Sequence, residues 1–317
     1  MLKRSSVLYP VCYLPFIVMD PDVSIIYCVR HSQFRSRDRI AVCLDKEYNR
    51  KSLPQKLDEA MEDVWKQRVD TNPKLYNGTK FRLDSVKEED GGVVKINLGV
   101  TCYKEYLGTN WSQEPKLLQE YGWEKYKNAQ ACLSDPLGVG SLVVTSDNQV
   151  IFLHRSKYCG EAPDLWDIPG GHAEPEELVG KKQFEEIELT SMKPEAVVDE
   201  IFSSIIREIR DEVNIPESSL SKPKMIGIAR NTTSARRPSI EFYVQCSKSS
   251  SEIFSLYKQG NQAEADESTN IRFVPLNRVV KLEENEVEFW NELAPSAKGC
   301  LILYRIATGL YDEQNIR

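Results

Sequence analysis

Residues Arg207-Glu208-Ile209-Arg210-Asp211-Glu212-Val213-Asn214-Ile215 place three carboxylates on one turn of a helical stretch, downstream of a Pro169-Gly170-Gly171-His172 turn. At about 100° per residue, Glu208, Asp211 and Glu212 fall in one sector with Glu200, Ser204 and Arg207 beside them. Phe202, Ile205, Ile206, Ile209 and Val213 fill the opposite side. One side therefore packs while the other is acidic and expected to be solvated. A chain holding such a helix must bury one face against a sheet or another helix. Its acidic face suits a hard divalent cation, which takes oxygen ligands and usually one or two carboxylates, leaving positions for water and phosphate oxygens. Glu208 and Glu212, at i and i+4, meet that need.

The rest of the chain bounds what this helix belongs to. At 317 residues it is long enough for one large or two modest domains. A net charge of -7 and a pI near 5.3 exclude a surface that holds nucleic acid by counterion release. A small anionic substrate, neutralised locally by metal and a few basic side chains, remains compatible. The 8 cysteines are scattered, with no C-x-x-C pair and no Cys/His cluster, and read as reduced thiols of an intracellular, cytoplasmic or nuclear, protein. Lys3 and Arg4 precede an apolar run from Val7 to Val18 that is too short to span a bilayer. With Met19 as a natural second start, residues 1–18 read as an upstream extension.

Residues 19–133 form a front region. Leu57, Ala60, Met61, Val64 and Trp65 recur at helical spacing behind Pro54, and residues 80–86 and 93–103 alternate as a hairpin around Gly91-Gly92. Residues 114–132 read as a helix. Residues 134–312 begin with a hairpin at 138–145 and 150–154, continue with strands at 225–229, 240–246 and 271–275, and close with a helix at 297–309. Residues 174–197, rich in Glu and Lys, read as a solvated surface excursion.

The string from Arg207 to Ile215 resembles the second half of the Nudix box, Gly-x5-Glu-x7-Arg-Glu-U-x-Glu-Glu-x-Gly-U with U aliphatic, and Pro169-Gly170-Gly171-His172 is similar to its start. Asp211 stands where Glu is usual and Asn214 where Gly is usual, and an insertion of about 22 residues interrupts the box. Asn tolerates the left-handed conformation that ends helices. The insertion leaves the lone Glu of the box open, since Glu177 fits the spacing from Gly171 and Asp199 the spacing to Arg207. Arg207 reads as the partner of Asp211 or of that lone acid. Further strings, among them residues 103–111, 135–140, 200–204, 227–235, 241–246 and 295–299, resemble the animal UDP-glucose pyrophosphatase branch of the Nudix proteins, over residues 19–306.

That resemblance implies a mixed-sheet α/β/α Nudix sandwich preceded by a smaller α/β region that helps to build the nucleotide pocket. It also implies hydrolysis of UDP-glucose or UDP-galactose to UMP and sugar 1-phosphate with Mg²⁺, or alternatively Mn²⁺. By position, Glu208 and Glu212 match the metal carboxylates, Phe81 and Tyr103 match aromatic positions suited to uracil, and Arg155, Asp167, His172 and Glu174 match pocket positions around sugar and diphosphate. Glu200, Asp211 and Glu267 are the candidates for a general base. The partner expected is a nucleotide sugar, with neither nucleic acid nor membrane. A catalytically silent nucleotide-sugar sensor, or an enzyme for ADP-ribose or another nucleoside diphosphate derivative, fits the same residues.

Overall fold

The computed structural model describes residues 20–29, 33–73 and 75–310; the upstream extension at 1–18 lies outside them. Two sheets result. The larger contains β1 (Val23–Cys28), β5 (Gly138–Val144), β6 (Gln149–Arg155), β7 (Trp166–Asp167), β8 (Gly170–His172), β9 (Lys224–Asn231), β10 (Arg237–Gln245) and β11 (Ser268–Pro275). Its order is β1-β9-β10-β5-β6-β11, with β8 on β5 and β7 on β6. Only β10 and β5 run parallel, so the sheet is mixed. All of β5 is buried, as a strand covered on both faces must be. The smaller sheet has β2 (Ile40–Leu44), β3 (Thr79–Glu88) and β4 (Val94–Cys102) in the order β2-β4-β3.

Two helices cover the larger sheet. Pro194–Val213 starts with proline in its first turn and ends on Asn214 at φ 66, the left-handed cap that its composition predicts. Pro295–Thr308, capped by Gly309 at φ 72, covers the opposite face. Val197, Ile201, Ile205 and Ile209 pack in one cluster with Val139 and Phe242, whereas Ala297, Leu301 and Tyr304 pack in another with Leu142 and Phe152. The α/β/α arrangement follows from these two apolar stripes.

The smaller sheet extends the first of these clusters. Ile40, Phe81, Leu83, Ile96 and Leu98 share it with the Pro194–Val213 helix, so that helix is wedged between two sheets. At the junction, Leu137 N–H donates to the Phe81 carbonyl (2.8 Å) and Leu83 N–H to that of Asp135 (3.2 Å). Arg82, 1% exposed, donates to the carbonyls of Tyr48, Gln130 and Leu133. β1, from the front region, is an edge strand antiparallel to β9, so the front residues serve both sheets.

The segment read as a surface excursion is instead part of the core. Ile187, Leu189 and Met192 are buried in the first cluster, and Leu178, Val179 and Phe184 pack against it. These residues sit in short helical turns, so their apolar side chains follow neither a 3.6 nor a 2.0 period. The charge of the segment masks its inward side. Leu189→Ala should therefore destabilise the protein by about 2–5 kcal/mol, measured by urea unfolding; a change within error would return the segment to the surface.

Candidate active site

The site is built where β8 crosses the acidic side of the Pro194–Val213 helix. Gly170 N–H donates to Glu212 Oε2 (2.9 Å) and His172 N–H to Glu208 Oε1 (3.1 Å). Two residues of strand advance about 6.7 Å and four of helix about 6 Å, so alternate strand amides meet carboxylates at i and i+4. Just beyond, Glu174 N–H donates to Glu200 Oε1 (3.1 Å). The glycines permit this approach. A Cβ on Gly171 would lie 2.1 Å from Glu208 Oε1, and one on Gly170 would lie 2.4 Å from the Val139 carbonyl oxygen. The helix face expected to be solvated is covered as a result, with Glu212 only 4% exposed.

Burial and mutual repulsion dominate the electrostatics. Glu208 is pushed up to about 8, first by burial and then by Glu264. Glu212 is held well above the usual carboxylate range by burial and by Glu208. Glu264, absent from the sequence-based candidates, is pushed up to about 7 by burial and by Glu267. The loop before β11 delivers these two acids: Glu264 N–H donates to the Asp211 carbonyl (2.9 Å), and Ser156 N–H donates to the Glu267 carbonyl (2.8 Å). Carboxylate oxygens of Glu212, Glu264 and Glu267 lie within 4.8 Å of one another. Acids forced together in this way favour protonation unless a cation intervenes, and an all-oxygen donor set fits a hard divalent ion.

Other acids of the helix are occupied. Arg207 grips Glu200 with both terminal nitrogens (2.6 and 3.1 Å). Its partner is thus neither Asp211 nor Glu177 nor Asp199. Asp211 is bound by Arg210 (2.7 and 2.8 Å), and Asp199 by Arg37 (2.6 Å). Neither Glu200 nor Asp211 lines the pocket; Glu267 does.

Glu208, Glu264 and Glu267 open into a pocket of about 390 Å³, which Tyr103, Arg155, Asp167, His172 and Glu174 also line. Arg155 donates from Nε to the Glu161 carbonyl (3.0 Å) and lies 3.8 Å from Asp167, whose carboxylate accepts from Ser296 Oγ (2.7 and 2.8 Å). Glu174 pairs with Lys80. Burial, then Lys80, Arg237 and Arg155, holds the His172 imidazole well below its ordinary value and therefore neutral. Phe81 does not reach the pocket: its side chain is fully buried in the core, because its place in β3 turns it toward the helix. Tyr106, Trp111, Glu161 and Arg237 line the pocket instead, with the Tyr106 and Trp111 rings stacked at 5.6 Å. Of these four only Tyr106 and Trp111 fall in a stretch with an aromatic pattern, and a loop acid such as Glu161 or Glu264 leaves no periodic signal.

No family model matches the chain. It is 43% identical over 289 residues, 90% of this chain and 91% of the relative, to the mouse uridine diphosphate glucose pyrophosphatase NUDT22. The human protein of the same name is 41% identical over 92% of this chain and 95% of its own length. Nudix hydrolase 9 of Arabidopsis thaliana is 34% identical over 77% of this chain and 80% of its own.

Because Glu208 takes up its proton more readily when folded than when unfolded, its stabilising contribution is complete below about pH 4.5 and is lost as pH rises through about 8. In a chelator, the melting temperature should fall across that interval; a saturating divalent cation should raise it most at the alkaline end. A cation effect that does not grow with pH would contradict the buried acid cluster.

Proposed function

We propose, because the chain belongs to the Nudix hydrolase family, that it hydrolyses the diphosphate bond of UDP-glucose or UDP-galactose with Mg²⁺, releasing UMP and the sugar 1-phosphate. The observation that carries this reading is the pair of carboxylates, Glu208 and Glu212, held by the backbone of β8, with Glu208 lining a pocket with aromatic and cationic walls and Glu212 buried behind it. The mammalian relatives carry the name of that activity over almost the whole length of the chain.

Glu208 and Glu212, with Glu264 and Glu267 across the cleft, would hold the ion. When bound, it supplies charge neutralisation at the diphosphate and a more acidic water. Lys80 and Arg155, the cations that act on Glu208 and Glu212, lie where the phosphate oxygens would be gripped. Of the three base candidates, Glu200 and Asp211 are tied to arginines, and Glu267 has the access to take a proton from the attacking water. The water oxygen adds to one phosphorus, and the bridging oxygen leaves with the other. Neutral His172 can donate or accept a hydrogen bond there without adding charge. Tyr103, ringed by Trp65 and Tyr106, offers the uracil a face.

The direct test is a panel of UDP-, ADP- and GDP-linked sugars with products separated by chromatography; UMP and sugar 1-phosphate from UDP-glucose are expected, and turnover of ADP-ribose alone would overturn the assignment. Glu212→Gln and Glu208→Gln should each lower the rate by on the order of 10²–10³, and near-normal Mg²⁺-dependent rates in both would remove the ion from this helix. Tyr103→Ala should weaken UDP-sugar binding by about 1–3 kcal/mol if the base stacks there; calorimetry showing unchanged affinity in a folded variant would return Tyr103 to a packing role.

A further inference from the structure

One end of the pocket carries a polar group that the hydrolysis does not use. Asn231, the last residue of β9, and Arg237, the first of β10, are directly opposite in the ladder, so both side chains project to one face. They converge on Glu161, in the loop after β6. Glu161 Oε1 accepts from Asn231 Nδ2 (2.9 Å), Ser234 Oγ (2.7 Å) and Arg237 Nε (3.3 Å), and Oε2 lies 3.2 Å from Arg237 Nε. Asn231 is itself fixed, its Oδ1 accepting from the Thr233 N–H (2.9 Å) and hydroxyl (2.7 Å).

This arrangement commits Arg237 Nε and leaves its two terminal nitrogens without a protein acceptor among the described residues, on the wall of the pocket. Gly138 keeps room for them, since a Cβ there would fall 2.5 Å from Nη1. The buried Tyr106 hydroxyl is turned toward Ser234 and Glu161 without closing a short hydrogen bond to either. Fixed hydrogen-bonding groups on a pocket wall whose capacity is not used up by the protein mark where a polar ligand would be met.

The chemistry of that ligand follows from charge and shape. Glu161 and Arg237 cancel one another, which disfavours a phosphate and suits a neutral polar group. A fixed acceptor stands beside fixed donors, and the Trp111 ring lies 3.4 Å from the Cβ position of Gly160, next to Glu161. A flat heterocycle with an N–H next to a carbonyl answers both features. Uracil has that edge, its N3–H flanked by two carbonyls. Cytosine would set its N3 lone pair against the carboxylate and its amino group against the guanidinium.

We propose that Glu161 and Arg237 read the imide edge of uracil and so choose the nucleotide; this rests on the reading of the pocket as a UDP-sugar site. Calorimetric titration of the full chain with UDP and CDP, in Mg²⁺, tests it. UDP should bind at least about 100-fold more tightly, because a site built to hydrogen-bond one partner rejects the mismatched one strongly. Glu161→Gln, which can turn an N–H toward cytosine N3, should narrow that ratio at least about tenfold. Arg237→Lys, which keeps the charge beside Glu161 but loses the fork, should narrow it too and serves if Glu161→Gln fails to fold. A wild-type ratio near one, or a ratio unchanged in a folded variant, overturns the proposal. So does a variant that loses only the affinity added by the glucose of UDP-glucose, which would assign the pair to the sugar. Because the readout is nucleotide binding, failure of UDP-glucose hydrolysis would count against the catalytic reading and leave the base ratio to judge this one.

Discussion

Two hydrogen bonds, from Gly170 N–H to Glu212 and from His172 N–H to Glu208, determine how the rest of the site is arranged. They tie a short strand beside β5 to a helix through carboxylates that would otherwise turn to water. Only glycine at 171 lets the strand come near enough. The helix must then lie with its aliphatic stripe on the sheet, and the loop before β11 closes over its acidic side through the Asp211 carbonyl. The cost is electrostatic: acids are brought together out of water, and burial raises each of them above its ordinary range. A divalent cation bound there would offset that cost, which no charge pair within the cluster does.

The front residues complete the pocket. β3 and β4 cover the outer side of the acidic helix with Phe81, Leu83, Ile96 and Leu98. The turn of helix after β4, Tyr103–Gly108, carries Tyr103 and Tyr106 to the pocket wall. Lys80, next to Phe81 in β3, faces the other way and reaches Glu174. Alternation along one strand thus gives one residue to the core and its neighbour to the site.

What could be read from the chain beforehand follows the same physics. The acidic helix, its asparagine cap and the close approach at the glycine pair are legible because period, capping chemistry and a missing Cβ each leave a signature in residue type, although the helix starts earlier than read, at Pro194, and the glycines read as a turn lie in strand β8. Resemblance identified Arg155, Asp167, His172 and Tyr103 as pocket positions, and all four line the cavity. Phe81 was misplaced, since alternation shows that a strand has two faces without saying which is covered. Residues 174–197 were misread because irregular turns bury Ile187, Leu189 and Met192 without periodicity. Glu264, Glu161 and Arg237 are brought in from loops and a strand end by tertiary contacts, and nothing local marks them.

Whether the strand-clipped carboxylates hold a divalent ion decides how this site works. Anomalous diffraction from crystals soaked in Mn²⁺ measures this directly. A strong peak is expected bonded to Glu212 and within carboxylate reach of Glu208, Glu264 or Glu267, together with loss of that peak in Glu212→Gln crystals. No peak at the pocket floor, or a peak that survives the substitution unchanged, would contradict that expectation.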